Sequence, residues 1–251
     1  SEFEGSYRQR LKLLLQAEES TNHRIPEVLS RGSTKYLHAI ADGALSVADQ
    51  RHRYMQELRR LVRNKEVIST KYLYWTELGS RRWLEICERE SYQYYRKSVE
   101  LLNKSAAKIV KCAIEAVGNA ELDLVSLGSG DGKKDNLLLR HATQYLSDNE
   151  HTYYYPIDIS DSMIVQAIRT SVSQGVPKER IKLKAIVADF TQMRELQRVI
   201  EDRPNPNVFS ILGNTLGNND EIVMMDAIAD GMLPGDLVLV EINVDKTGSL
   251  D

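Results

Sequence analysis

The chain has 251 residues, 42% of them hydrophobic, enough for the core of one α/β domain or of one such domain with a smaller helical part. Its 33 basic residues are balanced by 36 acidic ones, and the net charge of −3 provides no broad positive field, which argues against nucleic acid or anionic membrane as a partner. No apolar run is long enough to span a bilayer and no secretory leader pattern opens the sequence, so a cytoplasmic protein is expected. Cys87 and Cys112 fit neither a disulfide framework nor a metal site, and no ligand cluster elsewhere suggests a metal.

In chain order, residues 1–6 (SEFEGS) read as an appended cloning remnant. Residues 7–119 hold no convincing strand. Leu45, Tyr54, Met55, Leu58, Leu61 and Val62 fall at helical spacing in a charged background, as one apolar stripe on a solvated helix does. The segment 98–117 repeats that pattern with Val99, Leu102, Ala106, Ile109, Val110 and Ile114, and stops at Gly118, a suitable helix terminator.

From Glu121 the period changes. Short apolar or β-branched runs at 122–127, 153–159, 181–188, 207–212 and 236–243 alternate with helix-like segments at 133–147, 161–174 and 219–232. Such alternation predicts right-handed βαβ crossovers and a Rossmann-like α/β fold, with a mainly parallel sheet and helices on both faces. The expected organisation is a helical N-terminal region over 1–119 and a cofactor-binding domain over 120–251. Ligands of such sheets bind at the carboxyl ends of the strands.

Gly128, Gly130 and Gly132 follow the first of these strands and precede a helix, where missing side chains allow a tight turn and close approach of a ligand. A P-loop requires glycine at 127 and Ser or Thr at 134, but Leu127 and Lys134 stand there. A dinucleotide fingerprint requires glycine at 133, where Lys133 stands, which counts against a nicotinamide-dependent oxidoreductase. Asp158, near the end of the second strand, can accept both hydroxyls of a ribose, and Asp189 after the third can take an adenine amino group while Phe190 covers the ring. Each acid alone could be a helix N-cap. Together with the glycine turn they favour an adenosyl ligand.

The segments 71–98 (KYLYWTELGSRRWLEICERESYQYYRKS), 127–139 (LGSGDGKKDNLLL), 155–160 (YPIDIS), 188–190 (ADF) and 212–218 (LGNTLGN) resemble a class I methyltransferase dependent on S-adenosylmethionine. More narrowly, they resemble the histidine-specific family that methylates the histidine amine in ergothioneine synthesis; the similarity extends over roughly residues 55 to 248. The resemblance implies a cofactor site of Gly128, Ser129, Gly130, Lys134, Asp158, Ile159, Asp189, Phe190, Gly213, Asn214 and Thr215, with Tyr74 at the methionine end. It also implies that Tyr92 and Asn218 hold an amino-acid substrate by its amine and carboxylate. Tyr92 has a packing alternative in its tyrosine-rich run, and Asn218 has a capping alternative ahead of the next helix. Asn214 stands where the family usually has serine, and Gln93 and Ser98 where it tends to have tyrosine and glutamate.

The implied activity is S-adenosylmethionine-dependent N-methylation of an amino acid or related small amine. The rival is a partner-dependent or catalytically incomplete methyltransferase-like subunit, because the family's closing strands and substrate-reading insert lie beyond the fifth strand. The edge of 236–243 is therefore expected to be covered by the N-terminal helices, by a second subunit or by further sequence.

Overall fold

The computed structural model describes residues 35–37, 47–66, 68–173, 175–190, 200, 205–213, 215–218 and 220–243. Its strands are β1 (Lys35–Leu37), β2 (Asp123–Leu127), β3 (Thr152–Asp158), β4 (Ile181–Val187), β5 (Asn207–Ile211) and β6 (Leu237–Val240). They form one sheet in the order β1-β4-β3-β2-β5-β6, with every neighbouring pair parallel. The chain leaves β2 toward β3 on one side and reaches β5 on the other, so the strand order reverses beside the carboxyl end of β2.

Helices α1 (Val47–Asn64), α2 (Lys71–Tyr74), α3 (Glu77–Glu88) and α4 (Gln93–Val117) precede β2, and α5 (Lys133–Ala142), α6 (Asp161–Ser173) and α7 (Glu221–Gly231) lie within the α/β part. All five strands expected after residue 120 are present within two residues at each end, except that the last is shorter. The region before them is not all-helical: Lys35–Leu37 pairs with β4 and extends the sheet. Three residues have no alternation to read, and that strand exists only through its partner.

Both sheet faces are covered. Leu124, Tyr154, Leu183 and Val208 pack with α4 and α5 on one face, while Val125, Tyr155, Ile186 and Phe209 pack with Met224 and Ile228 of α7 on the other. In β6, Leu237 and Leu239 join the first cluster and Val238 and Val240 the second, as the period of two requires. Helix α4 buries Leu102, Ala106 and Val110 and ends at Gly118, whose φ of 71° and N–H bond to the Ile114 carbonyl (2.8 Å) make a left-handed cap. The stripe on α1 buries Tyr54, Met55, Leu58 and Leu61 against Tyr72 and Trp75, joining the leading helices to the strand ends; Leu45 lies outside the described residues. β6 is the outermost strand on its side among the described residues, Tyr94 of α4 reaches Glu241 just beyond it, and the leading strand extends the opposite edge. No helix among them is long and apolar enough to cross a membrane.

Candidate functional site

A cavity opens over the carboxyl ends of β2, β3, β4 and β5, where the strand order reverses. Its floor is the turn after β2. Gly128 and Ser129 donate their N–H groups to the Ile157 carbonyl (2.8 and 3.0 Å), which ties this turn to the end of β3. Gly128 has φ 73°, and a Cβ there would stand 2.9 Å from Thr215 Cγ2 and 3.5 Å from the Phe190 ring, so side chains from two other strand ends close on a bare backbone. Ser129 Oγ is buried against the cavity with no hydrogen-bond partner among the described residues, a polar group that a ligand would satisfy.

Asp158 lies between two backbone donors: Oδ2 accepts from Gly130 N–H at 3.1 Å and Oδ1 from Ser160 N–H at 2.9 Å. Burial pushes its carboxyl up to about 6, although the Ser160 and Gly130 N–H groups oppose the shift. Each oxygen retains a lone pair, so the acid can still accept from a ribose. The Ser160 bond shows that Asp158 also organises the local turn. The two roles are compatible.

Asp189 is 8% exposed and its Oδ2 pairs with Lys71 Nζ at 3.1 Å. Lys71 comes from α2 and also lies over the rings of Tyr54 and Tyr72 at 5.8 and 5.2 Å. Phe190 and Ile159 flank Asp189 and Asp158 in the wall. At the far side, Lys134 from the first turn of α5 is 7% exposed, stands over the Tyr95 ring at 5.6 Å, and would lie 3.4 Å from a Cβ at Gly213. Thr215 Oγ1 donates to the Leu212 carbonyl at 3.3 Å, closing the turn after β5.

Tyr74, Gly128, Ser129, Gly130, Lys134, Asp158, Ile159, Asp189, Phe190, Gly213, Thr215 and Asn218 thus line one cavity. Asn214 lies outside the described residues. Asn218 precedes the Asp220 N-cap of α7, so it is not that helix's cap, and its carbonyl accepts from Thr70 Oγ1 at 2.8 Å. Tyr92 stands one ring further out: it packs edge-on against Trp83 (5.7 Å), which in turn meets Tyr74 (5.5 Å), and it is not in the cavity wall.

Several wall residues have no counterpart among the strand-end candidates: Lys71, Trp83, Cys87, Tyr95, Asp131 and Met163. Asp131 holds the Tyr95 hydroxyl (3.0 and 2.9 Å) and pairs with Lys133 (3.0 Å). Its position inside the glycine run was the one available signal. The helical residues offered none, because a helix bearing a cavity wall has the same apolar stripe as one bearing only a core. Behind the floor, burial pushes Asp135 up to about 6 against hydrogen bonds from Tyr154 and Ser126, fixing α5 to the sheet. Among the described residues, no group of His, Cys, Asp and Glu could hold a metal ion.

The cavity therefore offers the strand-end carboxylates of Asp158 and Asp189, a bare glycine turn, an aromatic wall and the buried Lys134 ammonium, which fits a ligand with a ribose, a purine and a charged amino-acid end. A family profile described as "Histidine-specific methyltransferase, SAM-dependent" matches residues 54–249. No curated protein matches the chain.

Proposed function

The chain belongs to the histidine-specific, S-adenosylmethionine-dependent methyltransferase family, and we propose that the cavity over β2–β5 is where it methylates the nitrogen of an amino acid. The cofactor supplies a methyl group on a sulfonium sulfur. Asp189 and Phe190 take the adenine end, Asp158 the ribose, the Gly128–Gly130 turn the backbone approach, and Lys134 with Gly213 the amino-acid end. Tyr74, Trp83 and Tyr95 form the wall that excludes water and leaves the acceptor nitrogen on the S–CH3 axis. Asn218 faces the same space and orients the acceptor, with Tyr92 supporting the Trp83 ring. The acceptor attacks as the neutral amine, its proton having passed to water on binding. The strand ends after residue 120 carry most of the cofactor half of the site, and the helices before them, together with Asn218, the acceptor half.

One observation carries this reading: Asp158 is buried, still has lone pairs to offer, and lies between the glycine turn and Ser160 at the strand-order reversal. Calorimetry with S-adenosylhomocysteine, followed by mass spectrometry of histidine and other amino acids incubated with S-adenosylmethionine, tests it. Binding of the adenosyl ligand and a mass gain of whole methyl groups on one amino acid are expected. Absence of binding by the intact chain would overturn the site assignment.

A further inference from the structure

Glu241 follows β6 and belongs to none of the strand-end candidates, yet it meets three other elements at the amino-acid end of the cavity. Its Oε2 accepts from Lys134 Nζ at 2.7 Å and from the Gly213 N–H at 2.8 Å, and its Oε1 accepts from the Tyr94 hydroxyl at 3.3 Å. Its own N–H is fixed on the Ile211 carbonyl at 3.0 Å, so the carboxylate is carried by the sheet and not by a loose tail. Lys134 is almost wholly buried, where an ammonium without a partner is strongly unfavourable. Glu241 is the carboxylate in contact with it.

The sheet order gives this pair its place on the ligand. Reading across the carboxyl ends, β4 presents Asp189, β3 Asp158, β2 the glycine turn, β5 Gly213 and β6 Glu241. Neighbouring strands are about 4.8 Å apart, so a ligand whose purine lies at β4 and ribose at β3 brings its amino-acid end over β2 and β5, where Lys134 projects. An ammonium has three donors. Glu241 takes one, which leaves two for a ligand carboxylate and fixes their direction.

We propose that Glu241 is a positioning residue of the cofactor site, aiming the Lys134 ammonium at the carboxylate of the cofactor's amino-acid end while pinning the Gly213 turn. The proposal rests on the reading that the cavity takes S-adenosylmethionine, and two ligands separate its failure from the failure of that reading. S-adenosylhomocysteine carries the amino-acid end; 5′-methylthioadenosine has the same adenosine and lacks that end.

In calorimetry on the intact chain, Glu241→Gln should weaken S-adenosylhomocysteine by about tenfold or more while methylthioadenosine stays within about twofold. Lys134→Met should show the same selectivity, and the double variant Lys134→Met/Glu241→Gln should be no weaker than Lys134→Met alone. Glu241→Asp, which keeps the charge and shortens the reach, should restore part of the loss and provides a second reading if the glutamine variant does not fold. Equal weakening of both ligands, or no weakening of S-adenosylhomocysteine, would overturn the positioning role and leave Glu241 as scaffold. Failure of the unsubstituted chain to bind either ligand would overturn the cofactor reading and the proposal with it.

Discussion

Asp158→Asn separates ligand binding from folding at the residue on which the site depends. The carboxylate accepts from Gly130 N–H and Ser160 N–H, one per oxygen. Asparagine retains one acceptor and turns its NH2 toward one of those donors. A hydrogen bond to a charged group contributes about 1.5–3 kcal/mol, so losing one ribose contact and the charge from the other costs about 2–4 kcal/mol, or roughly 30- to 1,000-fold in affinity. Stability should move far less. Burial holds the carboxyl at about 6, some two units above its ordinary value, so above that pH its charged form costs the fold about 3 kcal/mol. The neutral amide removes that cost and gives back about 1–3 kcal/mol through the mismatched backbone donor, so the melting temperature should shift by a few degrees at most. Asp158→Ala loses both acceptors and should unfold earlier as well as bind worse. Calorimetry with S-adenosylhomocysteine and thermal melts of both variants check this. Affinity of the asparagine variant within about threefold of the unsubstituted chain would show that Asp158 is only a turn former and refute the ribose assignment.

Three further outcomes follow from the same geometry. Only ionised Asp158 accepts both ribose hydroxyls, so affinity for S-adenosylhomocysteine should fall by up to about tenfold per unit as pH drops below about 6; the fold responds oppositely, since a raised folded-state value means stability is lost as pH rises from about 4 to about 6, and a pH-independent affinity would contradict the assignment. Gly79→Ala places a Cβ 1.9 Å from the Leu73 carbonyl oxygen, a backbone atom, so α3 must withdraw from α2; a loss of about 1–3 kcal/mol in thermal melts is expected, and an unchanged midpoint would refute the close approach. Trp83→Ala should raise the KM for the methylated amino acid severalfold, whereas Tyr92→Phe should change it less, because Tyr92 packs behind the Trp83 ring and does not line the cavity; the reverse order would put the Tyr92 hydroxyl in direct contact with substrate.

How much of this was legible depends on how local each signal is. The strands β2–β6 could be read because each is a short apolar run bounded by turn residues, and strand ends in a parallel sheet all point to one side. That placed Asp158, Asp189 and the glycines after β2 on one side of the sheet; either acid alone could still have been a helix cap, and only the three features together pointed to a ligand. Lys71 and Glu241 could not, since their partners lie 118 and 107 residues away and no periodicity links a helix start to a strand end. Tyr92 illustrates a different limit: the tyrosine-rich run identifies an aromatic wall but not which ring stands in front, and the turn of α4 places Tyr95 against the cavity and Tyr92 behind Trp83. The departure at Ser98, where the resembled family tends to have glutamate, falls on the same helix, next to the carboxylate supplied by Glu241.

The two halves of the site are built by different physics. The strand ends provide backbone turns and carboxylates whose positions are fixed by parallel pairing, so the cofactor floor is as rigid as the sheet. The wall of Tyr74, Trp83 and Tyr95 comes from helices docked on that floor through a few polar ties: Lys71 to Asp189, Thr70 to the Asn218 carbonyl, and Ser80 to Ser160 at 2.5 Å. Two of these ties end on Asp189 and Asn218, residues assigned to the cofactor and to the acceptor. Moving the segment 70–80 therefore disturbs both ligands at once, while exchanging the Trp83 ring, which touches neither Lys134 nor the strand-end carboxylates, should disturb the acceptor alone. On this arrangement the choice of amino acid can change at Trp83 without loss of cofactor affinity, provided Thr70, Lys71 and Ser80 keep the wall docked.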